Sequence, residues 1–153
     1  MLKKIFFFAL LILSLFIIDQ YIKFIFVDGW VKHWDCISLI LAYNYGVAFS
    51  MFAFLQEYLK YIQIALMSGG IIYLVFNKDI FETYYIPVAF LLACGISNIY
   101  DRFIHGGVVD YVYWHCGFDF AIFNLADVLI DIAVIWIVIL NYKQSKEYEK
   151  VKD

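Results

Sequence analysis

Four stretches of mainly apolar residues, at roughly 5–27, 58–76, 84–103 and 121–142, leave this chain of 153 residues few folds to choose from. Each is close to the length of about 20 residues that a helix rising 1.5 Å per residue needs to cross about 30 Å of hydrocarbon. Inside a bilayer no water satisfies the backbone, so a spanning segment is a helix or part of a closed barrel, and four segments cannot close a barrel. The expectation is an all-α membrane protein with four transmembrane helices in one domain, 1–153. A chain that is 65% hydrophobic and only 16% charged, with a mean hydropathy of +0.83, is suited to lipid and not to a normal polar surface. Pro87 is expected in the first turn of the third span, where a missing N–H is harmless, and Gly69-Gly70 is expected to permit close helix contact in the second.

Charge orients the spans. Lys3, Lys4, Lys78, Lys143, Lys146, Lys150 and Lys152 fall on one side, against Lys32, Lys60, Arg102 and the span-end Lys23 on the other. The positive-inside rule then puts both termini in the cytoplasm and the 28–57 and 104–120 segments outside. Residues 1–18 also have the basic start and apolar core of a cleaved leader. No Ala-x-Ala site follows them, and apolar residues resume at Tyr21-Ile22-Lys23-Phe24, which favours a retained span. Within 28–57, the run Ile37 to Tyr43 is β-prone and ends at Asn44-Tyr45-Gly46, the signature of a small outward sheet.

Composition excludes several functions. The formal net charge is -3 and Arg102 is the single arginine, so there is no basic face for nucleic acid. Cys36, Cys94 and Cys116 are odd in number and lack Cys-x-x-Cys spacing, which indicates neither a disulfide framework nor a zinc site. His33, His105 and His115 are scattered, and no metal or other cofactor is expected. Leu91-Leu92-Ala93-Cys94 has the form of a lipidation box but lies mid-chain.

The placed charges carry the chemistry. A carboxyl at membrane depth costs about 2.5–3.5 kcal/mol even on the lenient insertion scale, so Asp110 and Asp127, at the edges of apolar runs, point to acid/base work. Hydrolysis of a peptide bond without metal, serine or thiol needs one carboxylate to activate water while a second, protonated carboxyl polarises the carbonyl. Two carboxyls brought together in a poorly solvated site acquire those unlike proton affinities. Asn124 lies one turn before Asp127, and Asn98, Asp101, Arg102 and His105 share a face of the third span, after which Gly106-Gly107 frees the chain to turn. Other readings stay open: Asp127 paired structurally with Lys23 or Arg102, Asp101 and Arg102 as interfacial anchors, and Asp110 as a solvated loop residue. Asp19 and Lys23, at i and i+4, either neutralise each other or free Lys23 to hold a substrate carbonyl or headgroup at the boundary. Asp131, one turn below Asp127, is expected in a packing network.

Asn44-Tyr45-Gly46-Val47-Ala48-Phe49, Asn98-Ile99-Tyr100-Asp101-Arg102, Gly107-Val108-Val109-Asp110-Tyr111 and Phe123-Asn124-Leu125-Ala126-Asp127, in this order on a four-span chain, resemble the lipoprotein signal peptidase (signal peptidase II) family. The resemblance implies an aspartyl endopeptidase of the bacterial inner membrane that removes the signal peptide from diacylglyceryl-prolipoproteins just before the lipid-bearing cysteine. It implies Asp110 and Asp127 as the catalytic pair and Asp19, Lys23, Asn44, Gly46, Asn98, Asp101, Arg102 and Asn124 as supporting or substrate-binding residues. It also implies an outward sheet, or cradle, around 37–52, and the partners expected are prolipoprotein and membrane lipid, with the enzyme a monomer. Two positions depart from the family pattern. Ser97 replaces a glycine, which suggests slightly wider helix packing, and Val128 replaces a common serine. Two other function classes compete: a proton carrier using Asp127 and Asp131, and a scaffold packing through Ser68-Gly69-Gly70.

Overall fold

The computed structural model describes residues 2–46 and 51–152. Its elements follow in the order α1 (Leu2–Val27), β1 (Lys32–His33), β2 (Ile37–Asn44), a 3-10 turn (Ala53–Leu55), α2 (Gln56–Phe76), α3 (Lys78–Ile104), β3 (Val108–Trp114) and α4 (Leu125–Lys152). All four helices are long and apolar enough to cross a membrane. α3 is the hub, packing against each of the other three. Small buried residues make this possible: Ala89, Ala93, Ala126 and Ala133 are fully covered and let neighbouring backbones approach. The side chains turned away from the hub, such as Leu10, Leu13, Phe24, Leu66 and Ile135, are exposed, as lipid-facing residues are.

Three helix limits differ from the expected spans. α3 begins at Lys78, directly after α2, so Pro87 lies well inside it and is buried, depriving the Thr83 carbonyl of its usual donor. The polar stretch from Lys78 to Thr83 is helical as well, and a hydropathy window gives no signal for it. α4 starts at Leu125 and continues to Lys152 through a polar segment. Asp127 therefore sits in the first turn of its helix, not two turns in. Gly69 and Gly70 have open space around them, so the expected close contact is not made there. It is made at Gly95, where a Cβ would lie 2.9 Å from the Met67 sulfur on α2.

The small sheet is present, in the order β1-β2-β3 and antiparallel throughout. Its third strand comes from between α3 and α4 and pairs Ala42 with Asp110 and Asn44 with Val108, with a register shift separating these from the pairing of Leu39 with Val112. Gly106 and Gly107 make this return possible. Gly106 takes a left-handed φ of 77°, and at Gly107 a Cβ would sit 2.9 Å from the Tyr45 ring and 3.1 Å from the Asn44 carbonyl.

The cysteine expectation is overturned: Cys36 and Cys116 form a disulfide, with Cα atoms 4.4 Å apart. The pairing of Ile37 with Trp114 brings the residues just beyond them together, although 80 positions separate them in the chain. No local spacing could signal that pairing. Nearby, His33 Nδ1 and His115 Nε2 both lie within 3.1 Å of the Ser38 hydroxyl.

Candidate active site

The start of α4 is buried against the protein, so its first N–H groups need partners that water cannot supply. The Leu125 N–H donates to the Tyr111 hydroxyl at 3.0 Å, the Ala126 N–H to Asp19 Oδ1 at 3.0 Å, and the Asp127 N–H to Asn124 Oδ1 at 2.9 Å. In return the Asn124 N–H donates to Asp127 Oδ2 at 3.1 Å. Asn124-Leu125-Ala126-Asp127 is thus a reciprocal capping box, with asparagine and aspartate in place of the usual serine and glutamate. Asp127 is held at the positive end of a helix, where negative charge is accommodated.

Asp110 arrives from β3. It is buried, and its carboxyl receives hydrogen bonds from Asn44 and from Asn124 Nδ2, the latter at 2.7 Å. Asn124 therefore touches both aspartates, its backbone N–H on one and its side-chain amide on the other. Asn98 Nδ2 adds a bond to Asp127 Oδ1 at 3.2 Å. Burial first, and the charge of Asp127 second, push the Asp110 carboxyl up to about 7, against the pull of the two asparagines and Lys23.

Beneath the pair lies a polar staple. Lys23 Nζ donates to Asp19 Oδ2 and Asp101 Oδ2, each at 2.7 Å, and to Asn98 Oδ1 at 2.8 Å, which uses all three ammonium protons. Asp101 also accepts from Gln20 Nε2 at 2.8 Å and from the Val109 N–H at 3.1 Å, so the staple fixes the backbone beside Asp110. Ser97 donates to Asp19 Oδ2 at 2.6 Å and accepts from Gln20 at 2.7 Å. The Ser97 hydroxyl is completely buried and ties α3 to α1. Asp19, Lys23 and Asp101 are buried too, so neither Lys23 at the membrane boundary nor Asp101 as an interfacial anchor describes them. The Asp127 pairing with Lys23 or Arg102 is also not made, since among the described residues Asp127 forms no ion pair.

Arg102 is buried as well. Its Nε donates to Gln63 Oε1 at 3.1 Å and its Nη2 to the Gly46 carbonyl, while Nη1 has no partner among the described residues. The Gly46 N–H donates to Asn44 Oδ1 at 3.0 Å. His105 does not join this group: it ends α3 and faces the Tyr43 ring. Val47, Ala48 and Phe49 of the first motif lie outside the described residues.

Two cavities meet at these residues. One of about 570 Å³ is lined by Asp127, Asn98 and Arg102 and reaches along α4 past Val128 to Asp131, with Gln63 of α2 on its wall. The second, about 400 Å³, is lined by Asp110 and Asp119 and shares Asn44 and the 120–122 segment with the first. Asp131 is exposed and, among the described residues, makes no hydrogen bond or ion pair, so the expected packing network around it is absent. Sequence reasoning missed Gln63, Gln20 and the role of Tyr111. The first two belong to no motif, and only the tertiary contacts single them out.

The sequence pattern of the family described as signal peptidase (SPase) II matches residues 11–143. The chain belongs to the signal peptidase II family. Lipoprotein signal peptidase of Sulfurimonas denitrificans is 61% identical over 134 residues, covering 88% of this chain and 86% of that protein. The Wolinella succinogenes enzyme is 55% identical over 81% of this chain and 85% of its own length, and that of Helicobacter pylori strain Shi470 is 41% identical over 98% and 96%. A bacterial membrane enzyme solved by the in meso method at 2.3 Å resolution has the same fold, with a TM-score of 0.78 at 26% identity over 92% of this chain and 90% of that one. Family membership accounts for the architecture: a multi-pass helical membrane protease carrying a small sheet beside buried carboxyls.

Proposed function

We propose that the chain cleaves the signal peptide from diacylglyceryl-prolipoproteins, N-terminal to the lipid-bearing cysteine, with Asp110 and Asp127 as the catalytic pair. The single contact that carries this reading is Asn124, whose backbone and side chain bond one aspartate each. Two carboxyls so linked, in a desolvated site, retain one proton between them.

Asp127 at the helix N-terminus is the ionised member and takes a proton from the attacking water. Asp110 is the protonated member and donates to the oxygen of the scissile carbonyl as the tetrahedral adduct forms. As that adduct collapses, the C–N bond breaks, the cysteine nitrogen accepts the proton held by Asp127, and the adduct hydroxyl returns its proton to Asp110. Asn44, Asn98 and Asn124 keep the carboxyls oriented, while Arg102 and Gly46 bound the substrate channel. Asp19, Lys23 and Asp101 act at a distance by fixing α1, α3, β3 and the start of α4. Val128 lines the cavity with no hydrogen-bonding group.

The substrate signal peptide enters from the lipid between α2 and α4, where Gln63 and Asp127 face the larger cavity. Lysine distribution supports cytoplasmic termini and a site at the outer rim of the inner membrane, where water reaches the dyad. The test is cleavage of a diacylglyceryl-prolipoprotein by reconstituted protein. Asp110→Asn and Asp127→Asn should each lower the rate by at least about a thousand-fold with folding retained. Wild-type turnover by the folded Asp127→Asn protein would remove the assignment.

A further inference from the structure

Asp131 has no place in the chemistry above, yet it occupies an expensive position. A carboxyl in a spanning helix without a partner costs about 2.5–3.5 kcal/mol. Here it is exposed on the wall of the larger cavity, on the same face of α4 as Asp127 and one turn further from the helix start. No hydrogen bond or ion pair among the described residues engages it, although Gln63 and Arg102 line the same cavity. A second group there also lacks a partner: Nη1 of Arg102, a residue only 3% exposed. Nη1 is enclosed, so the group the cavity presents to whatever fills it is the Asp131 carboxyl, with the apolar Val128 and Ile130 beside it on the wall.

We infer that Asp131 is a specificity-determining residue, whose carboxyl hydrogen-bonds a hydroxyl-bearing side chain, serine or threonine, in the signal-peptide segment that precedes the scissile bond. The inference rests on the dyad reading, since it takes Asp127 as the point of cleavage. One helical turn separates the two aspartates, about 6 Å along the axis. An extended substrate covers that distance in about two residues and a helical one in about four, so the hydroxyl belongs about two to four positions before the cut. A carboxyl there distinguishes threonine from valine, which has the same shape without the hydroxyl, because only threonine offers it a hydrogen-bond donor.

The test compares synthetic diacylglyceryl-prolipoprotein peptides carrying Thr or Val at each of these positions, cleaved by wild type, Asp131→Leu and Asp131→Asn. At one position wild type should favour Thr by about five-fold in kcat/KM, through KM, as one hydrogen bond implies. Asp131→Leu should abolish that preference and Asp131→Asn should keep part of it. If the leucine variant does not accumulate, Asp131→Ala is measured in its place. A Thr/Val ratio that is unity in wild type at every position, or unchanged in Asp131→Leu, overturns the inference. Full activity of Asp127→Asn would instead sink the dyad reading, so the two failures are distinct.

Discussion

Replacing Asp110 with asparagine should make the protein more stable, and only above mildly acidic pH. Burial and the charge of Asp127 raise the Asp110 carboxyl from 3.8 to about 7. Because the folded-state value exceeds the unfolded one, the folded protein keeps a proton that the unfolded chain has already released, and stability is lost as pH rises between these two values. With about 1.4 kcal/mol per unit, the accumulated loss by pH 8 is on the order of 4 kcal/mol. Asp110 is only 2% exposed, so solvent screens little of it. Asparagine cannot ionise, and it retains an oxygen to accept the Asn124 amide now bonded at 2.7 Å. Thermal unfolding of wild type and Asp110→Asn in detergent at pH 5, 6.5 and 8 measures the difference, in which carboxyls common to both proteins largely cancel. The variant should melt at least about 5 °C higher at pH 8, with the gap narrowing as pH falls. A variant that melts at or below wild type at pH 8, or a gap independent of pH, would refute the linkage and with it the claim that the site holds Asp110 protonated.

The staple and the disulfide give two further expectations. Lys23→Met leaves Asp19 and Asp101 buried without their shared cation and should cost about 3–5 kcal/mol, seen as a lower unfolding midpoint or failure to accumulate in membranes; a wild-type midpoint would contradict the staple. Alkylation of denatured, unreduced protein should modify one cysteine, Cys94, and reduction should expose three while destabilising the fold by up to about 4 kcal/mol. Three reactive thiols before reduction would remove the Cys36–Cys116 pairing.

The spans were legible because burial in lipid imposes a length and a composition that a window along the chain detects. What such a window cannot detect is a helix that continues through polar residues, as α3 does from Lys78 and α4 does to Lys152. Asn124 and Asp127 were legible as a pair three residues apart, but their reciprocal cap depends on where the helix starts, and the run from Ala121 placed that start too early. β3 has no clear sequence signature although Val108 to Trp114 is β-prone, because Gly106-Gly107 by itself indicates only a turn. The disulfide, Gln63 and the exposed carboxyl of Asp131 depend on contacts between distant segments. Ser97 carries more than bulk: a serine where the family has glycine adds a hydroxyl as well as volume, and here the hydroxyl finds Asp19.

The sharing of one proton between Asp110 and Asp127 is tested most directly by the pH dependence of kcat/KM for prolipoprotein cleavage. A base that must be ionised and an acid that must be protonated give a bell, and the value of about 7 at Asp110 sets its alkaline limb. The rate should fall about tenfold per unit above that limb. A rate that stays level or keeps rising from pH 6 to pH 9 would contradict the account.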